Sequence, residues 1–164
     1  LTKLMGGKKH FVQKLQMVFD KNYYDPANEP DIAYPYLFSN FNDEAWRTQK
    51  EVTRLLETYF RNAPDGIPGN DDTGTMSAWA VFSMMGFYPD CPGKPSYMLT
   101  TPTFDKVVLN LNEKYYPKGK LVIEKTDKLP YIQYVKAGEK LLKGYAITHE
   151  ELTTCGTLLY KTKK

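Results

Sequence analysis

The stretch Gly69-Asn-Asp-Asp-Thr-Gly-Thr-Met-Ser-Ala-Trp79 joins an acidic, glycine-containing loop to an apolar helical pattern. Prolines and glycines just before it indicate turns, so the chain changes direction here. The pattern predicts a helix that begins between Thr73 and Thr75. Gly86 is the residue type that most often follows a helix, and it marks the end. The sequence therefore predicts that the acidic residues lie at the start of a helix in which Trp79 is a packing residue.

The adjacent acids Asp71 and Asp72 allow two interpretations. In the structural one, Asp72 or Thr73 caps the helix. In the functional one, both carboxylates belong to a site, because neighbouring like charges repel unless they share a cation or a proton. Calcium takes several oxygen ligands, which Asp and Asn side chains supply, although the spacing here differs from that of an EF-hand loop. The residues alone leave both interpretations open.

Apolar residues recur at helical spacing in two segments upstream. The first predicts a helix over residues 8–20. The second predicts a helix that runs from a cap at Asn42 or Asp43 to about Phe60. Residues 22–35 hold three prolines and little periodicity, so this segment is predicted to be a loop.

Beyond Pro89 the pattern changes to short β-branched or alternating runs separated by Pro, Gly, Asn and Lys. These runs predict strands near residues 97–99, 106–111, 121–125, 131–136 and 157–161, with a helical turn at 149–152 before the last strand. Helices followed by strands indicate an α+β fold and not alternating βαβ units.

The composition limits which binding partners are possible. The 164 residues are 41% apolar and carry a net charge of +3, which is ordinary for one globular domain. Lysines in the second half are scattered singly, and no arginine follows Arg61, which argues against nucleic acid. No apolar run approaches the roughly 18 residues of a membrane span. Thirteen tyrosines suit either a β-rich domain or a carbohydrate site.

A second candidate site is Asn28-Glu29-Pro30-Asp31, which is followed by the aromatic run Tyr34-Pro35-Tyr36-Leu37-Phe38. A glutamate held beside a proline among aromatic rings suits hydrogen bonding to sugar hydroxyls, and it equally suits an exposed loop. Two separated carboxylate groups on one scaffold fit inverting glycoside hydrolysis, in which the acid and the base lie roughly 6.5–9.5 Å apart.

Taken together, these motifs resemble the signature of glycoside hydrolase family 92. The resemblance is carried by residues 69–79, Gly86-Phe-Tyr-Pro89, Asn28-Glu29-Pro30, Thr101-Pro-Thr-Phe-Asp-Lys-Val107 and Ile147-Thr-His-Glu-Glu-Leu152, and it spans nearly the whole chain. It implies the C-terminal part of a calcium-dependent, inverting, exo-acting α-mannosidase that releases terminal mannose from glycans. Family members join a β-sandwich to an (α/α)6 barrel. Residues 1–90 are then the last helices of the barrel, and residues 91–164 are a C-terminal antiparallel β region packed on it.

The resemblance also assigns residues. Asp72 and Asp71 fall in the catalytic loop, with Asp72 preferred as the general base, and both are expected calcium ligands. Asn28 and Glu29 fall where the family binds the neighbouring sugar, and Asn70 is assigned to the substrate with them. An α-1,2 linkage is expected, although relatives that prefer it tend to carry His where this chain has Asn28.

The family's general acid is a glutamate in a segment upstream of the first helix of this chain. The expected partners are therefore a mannose-containing glycan and the remaining part of the longer enzyme, and the 164 residues alone are expected to hydrolyse nothing. Apolar patches are expected at Phe11, Val18 and Phe82. The family implies a periplasmic, cell-surface or secreted location. A non-catalytic carbohydrate-binding domain and a purely structural domain remain alternative functions.

Overall fold

The computed structural model describes residues 1–164 and places helices in the first half and most strands in the second. Its α-helices are α1 (Lys8–Asp20), α2 (Ala45–Tyr59), α3 (Thr75–Met85) and α4 (His149–Thr154). Two short 3₁₀ helices, Glu29–Asp31 and Tyr34–Asn40, lie in and after the segment predicted as a loop. The three long helices agree with the predicted ones to within three residues at each end.

Eight strands form two sheets. They are β1 (Phe87–Tyr88), β2 (Ser96–Leu99), β3 (Lys106–Asn110), β4 (Lys120–Lys125), β5 (Tyr131–Ala137), β6 (Lys140–Leu141), β7 (Ala146–Thr148) and β8 (Thr157–Lys163). The first sheet is antiparallel in the order β1-β2-β7, and the second has the order β3-β4-β8-β5-β6. The α+β fold class is confirmed. The β region is antiparallel except for one pair, β4 and β8, which run parallel.

Each long helix buries one face in a mainly aromatic core. Members of this core from the helices and the 3₁₀ turns include Phe11, Val12, Leu15, Phe19, Tyr36, Phe38, Val52, Leu55, Met76 and Trp79. The sheets enclose a second core, which includes Phe87, Leu99, Leu121, Ile123, Ile132, Val135, Ile147, Leu158 and Tyr160. Apolar residues recur every three to four positions in the long helices and at alternate positions in the longer strands, and this pattern gives most of these elements one buried face.

The expected apolar patches are wrong. Phe11 is 7% exposed, and Val18 and Phe82 are partly buried against the two cores. The exposed apolar side chains lie elsewhere, and they include Val81 (50% exposed) and Phe104 (52% exposed). The 3₁₀ helices and the sheet cover the faces that the helical pattern alone leaves open.

Buried hydrogen bonds join the helical part to the sheets. The Tyr160 hydroxyl donates to the Gly86 carbonyl oxygen over 2.8 Å. The Ile132 amide donates to the Gln49 side-chain oxygen, also over 2.8 Å. The division into a barrel part, 1–90, and a β part, 91–164, stays a prediction, because the rest of such a barrel would lie outside this chain.

The helix ends differ from the predicted caps. Helix α2 follows Glu44, and no side chain caps it; Asp43 instead pairs with Lys8. Helix α3 ends at Gly86 as predicted, with a φ of 97° that favours glycine. No helix in the chain is both long enough and apolar enough to cross a membrane.

Candidate functional site

The loop before α3 contains three consecutive residues in the left-handed region. Their φ angles are 46° for Asp72, 62° for Thr73 and 94° for Gly74. This conformation suits Gly74 but is unfavourable for a β-branched residue such as Thr73. Strained backbone of this kind persists only where the surrounding structure holds it, and it concentrates at functional sites.

Asp71 takes the capping role that the sequence assigned to Asp72 or Thr73. One oxygen of its half-buried carboxylate accepts a hydrogen bond from the Ser77 amide over 2.8 Å. Its main-chain oxygen accepts from the Gly74 amide at 3.1 Å and from the Met76 amide at 3.2 Å. The assignment of the cap to Asp72 or Thr73 is therefore wrong. Asp71 reaches the free N–H groups of the helix because the left-handed turn folds the loop back over them.

Asp72 does not cap the helix. The residue is exposed, and its carboxylate makes no hydrogen bond or ion pair within the chain. Its amide donates to the side-chain oxygen of Asn70 over 3.3 Å, and its carbonyl oxygen accepts from the Thr75 hydroxyl over 2.8 Å. The loop is thus fixed at its backbone, while the Asp72 carboxylate stays free.

The second candidate segment forms a tight turn around a buried acid. Asp31 is 8% exposed and accepts from the Asn28 side-chain amide over 3.3 Å. Glu29 is exposed, and its carboxylate makes no hydrogen bond or ion pair in the chain. Burial and then the Glu29 charge raise the pKa of the Tyr88 phenol. Asn28 and Glu29 therefore occupy a turn that carries a free acid.

The structure brings the two candidate segments together. Gly69 packs against Ala27, and a Cβ added to Gly69 would lie 2.6 Å from the Ala27 Cβ. The Trp79 indole, 2% exposed, donates to the Ile32 carbonyl oxygen over 2.8 Å. This confirms Trp79 as a packing residue. The contacts place the start of the Asn70–Asp72 loop beside the Asn28–Glu29 turn.

Sequence reasoning missed two further residues at this place. Tyr88 stacks on the fully buried Tyr36 with ring centroids 4.8 Å apart, and Tyr36 in turn bonds the Ser83 hydroxyl at 2.6 Å. Burial raises the pKa of Asp90, and the Asp90 charge contributes to the raised pKa of Tyr88. The available signal was the run that ends in Tyr88-Pro89-Asp90 directly after α3, an acid beside an aromatic ring at a turn.

The expected calcium ligands do not form a complete site within this chain. No three acidic, histidine or cysteine side chains converge on one point. Asp71 already uses one carboxylate oxygen at the start of α3, so the free donors of the loop are its second oxygen and the Asp72 carboxylate. Calcium takes six to eight oxygen ligands. These residues therefore fit part of a calcium shell and do not fit a whole one.

A large cavity lies beside this cluster and has a volume of about 1150 Å³. It runs between α2, α3 and the segments around Thr101–Asp105 and Leu129–Tyr131. Gly66, Ile67 and Ser77 line it at the loop end, whereas none of the five predicted site residues does. We place the candidate site at the two loops and not in this cavity, because the free carboxylates are at the loops.

The fold and this acid-bearing loop have clear relatives. The whole chain, residues 1–164, matches the family model described as the glycosyl hydrolase family 92 catalytic domain. The chain belongs to this family of glycoside hydrolases.

Individual relatives are consistent with that assignment. The chain is 34% identical over 107 residues to an uncharacterized secreted glycosidase of Arthroderma benhamiae, a match that covers 65% of this chain and 14% of that protein. Its structure is similar to that of a family 92 α-mannosidase from Bacteroides thetaiotaomicron, with a TM-score of 0.81, 25% identity, and coverage of 94% of this chain and 21% of that one. A family 92 inverting mannosidase from the same organism gives a TM-score of 0.82, 28% identity, and coverage of 98% and 25%. The chain thus spans a quarter or less of the length of these relatives.

Proposed function

We propose that this chain is the base-carrying part of an inverting exo-α-mannosidase that releases terminal mannose from glycans, with α-1,2-linked mannose as the expected substrate. The observation that carries the proposal is the free carboxylate of Asp72 on a strained turn that packs beside the Asn28–Glu29 segment. Two solved relatives are named as mannosidases of the same family, and one of them as an inverting enzyme.

In this proposal Asp72 is the general base. An inverting glycosidase needs a carboxylate that accepts a proton from water as the water attacks the sugar from the face opposite the leaving group. Asp72 is ready for that role because its carboxylate is unpaired while its backbone is fixed at both ends of the turn. Asp71 supports the turn through its bond to Ser77.

The Asn28–Glu29 turn supplies substrate contacts in the proposal. Glu29 offers an unpaired carboxylate to sugar hydroxyls, and Asn28 offers its side-chain carbonyl oxygen, because its amide nitrogen is occupied by Asp31. Asn70 joins them from the neighbouring loop, although its side-chain oxygen also accepts from the Asp72 amide. Tyr88 stacks on Tyr36, and burial and then the Glu29 charge raise the pKa of its phenol.

Calcium is part of the proposal, as an ion bound jointly by this chain and by other segments of the longer protein. Asp71 and Asp72 would supply part of its oxygen shell, and other segments of the longer protein would supply the rest. Bound calcium would hold hydroxyls of the terminal mannose and favour its distortion. A periplasmic, cell-surface or secreted location is also proposed, in keeping with the relative named as a secreted glycosidase.

The test uses the full-length protein that carries this chain. Asp72→Asn keeps the shape of the side chain and removes the base, so at saturating calcium mannose release from α-1,2-mannobiose should fall about 10²–10⁴-fold while mannose binding persists. Asp65→Asn is the matched control, because Asp65 is an exposed acid paired with Arg61 in the same connecting segment. NMR of the first product should show the inverted anomer. Unchanged turnover in Asp72→Asn would favour a non-catalytic carbohydrate-binding or structural domain.

A further inference from the structure

We propose that Asp31 is a positioning residue that sets substrate affinity by fixing which way the Asn28 amide faces. The inference rests on the proposed function, because it gives the Asn28–Glu29 turn its role in substrate binding. Asp31 lies one turn of a 3₁₀ helix beyond Asn28, and its side chain reaches back to that residue.

The Asp31 carboxylate is buried without a cation. It is 8% exposed and takes part in none of the ion pairs of the chain. Burial of a carboxylate is unfavourable unless hydrogen bonds replace its water. Here one oxygen accepts from the Asp25 amide over 3.1 Å, and the other accepts from the Asn28 side-chain nitrogen over 3.3 Å. The acid is therefore held by the turn itself.

The main chain of the turn already closes without the carboxylate. The Asp31 amide donates to the Asn28 carbonyl oxygen over 2.9 Å, and the Asn28 amide donates to the Asp25 carbonyl oxygen over 3.1 Å. Trp79 anchors the next residue through its bond to the Ile32 carbonyl oxygen. Beyond its bond to the Asp25 amide, the Asp31 carboxylate thus acts through the Asn28 side chain.

An ionised carboxylate can only accept hydrogen bonds, whereas a side-chain amide both donates and accepts. Asp31 therefore requires Asn28 to turn its nitrogen inward, which leaves the Asn28 carbonyl oxygen without a partner in the chain. That oxygen is a free acceptor on an exposed residue next to Glu29. The turn then presents two acceptors to the hydroxyls of a bound sugar, and a flipped Asn28 would present a donor in place of one of them.

The substitution Asp31→Asn separates this role from simple folding support. An amide at position 31 has the same shape, but its single oxygen is taken by the Asp25 amide, so its nitrogen faces Asn28 and turns the Asn28 oxygen inward. In the full-length enzyme we expect KM for α-1,2-mannobiose to rise about tenfold, the loss of one oriented hydrogen bond, while kcat changes less than about twofold. Asp20→Asn, an exposed acid at the end of α1, is the matched control and should leave both constants unchanged.

Exchanging the two side chains gives the decisive comparison. The double variant Asn28→Asp with Asp31→Asn keeps one amide and one carboxylate in contact and again directs an acceptor outward, so KM should return toward the wild-type value. A KM that stays at the wild-type value in Asp31→Asn overturns the inference, and so does a double variant that binds no better than Asp31→Asn. If Asp31→Asn folds poorly, the double variant alone decides: wild-type-like KM supports the inference, and a tenfold higher KM overturns it. A wild-type protein that cleaves no α-mannoside instead refutes the proposed function.

Discussion

Gly69 and Ala27 are in direct contact, and the contact leaves no room for a side chain at Gly69. A Cβ added there would lie 2.6 Å from the Ala27 Cβ and 3.2 Å from the Ala27 Cα. These two residues come from the two segments that hold the site residues predicted from the sequence. Their approach therefore limits how far the loop that carries Asp72 can lie from the Asn28–Glu29 turn.

Gly69→Ala should push the two segments apart and lower activity. A catalytic group misplaced by about 1 Å lowers the reaction rate about 10²-fold. A comparable fall in kcat/KM for mannobiose is therefore expected in the full-length enzyme. Ala27→Gly removes the opposing Cβ and should recover part of the loss in the double variant. Wild-type kcat/KM in Gly69→Ala would show that the close contact does not set the site geometry.

Thr73→Gly should stabilise the protein. The left-handed conformation costs a residue with a Cβ about 1–2 kcal/mol, and glycine adopts it freely at an entropic cost of about 0.5–1 kcal/mol. Thermal unfolding should therefore move slightly upward. Thr103→Gly is the control, since Thr103 is also an exposed loop threonine but does not have a positive φ, and it should lower the melting temperature. A drop in Thr73→Gly would mean that the Thr73 side chain makes a stabilising contact.

Asp90→Asn should raise stability at neutral pH and not in acid. Burial raises the pKa of Asp90, and its backbone hydrogen bond and Lys94 oppose the shift. Because the pKa of Asp90 is higher in the native state than in the unfolded state, Asp90 stabilises the fold fully below its unfolded-state pKa. This stabilisation is lost as pH rises through its native-state pKa. The asparagine variant cannot ionise, so its melting temperature should exceed that of the wild type near pH 7 and match it near about pH 3.

Asp43→Asn provides a control of opposite sign. Hydrogen bonding to Lys8 lowers the pKa of Asp43, so this group stabilises above its unfolded pKa and loses the effect as pH falls. Its variant should be no more stable than the wild type at neutral pH. An Asp90→Asn advantage that is equally large in acid would exclude the ionisation of Asp90 as its cause.

Calcium should bind residues 1–164 only weakly. The chain holds no converging set of three acidic groups, and weak oxygen-ligand sites have dissociation constants of about 10⁻⁴–10⁻³ M or above. Calorimetric titration should therefore show no saturation in the micromolar range, whereas the full-length protein should bind more tightly and lose affinity in Asp72→Asn. Micromolar binding by residues 1–164 that persists in Asp72→Asn would place the ion elsewhere.

Much of the fold follows from local patterns in the sequence. Helix α1 and the end of α3 at Gly86 are predictable because burial periodicity and glycine conformation act within a few residues. The cap of α2 is not, because Asp43 pairs with Lys8 thirty-five residues away. The parallel pairing of β4 with β8 is equally non-local, because a short alternating run does not specify which strand it pairs with.

The candidate site likewise follows from the sequence only in part. Its residues can be named from the sequence, because acids, amides and glycines concentrate in two short segments. The capping role of Asp71 and the unpaired carboxylate of Asp72 cannot, since they depend on three successive positive φ angles that only the packed loop maintains. The involvement of Tyr88 and Asp90 likewise arises from tertiary packing around Glu29.

The position of β8 has a consequence for how the chain is made. β8 is the third of five strands in its sheet and joins the β3-β4 pair to the β5-β6 pair. It follows all four of these strands in the chain, so during synthesis the two pairs stay unjoined until residues 157–163 leave the ribosome. Pairings between distant segments form slowly, and unpaired strand edges are prone to aggregation in the interval. A nascent chain halted before Thr157 should therefore be a strong target for chaperones.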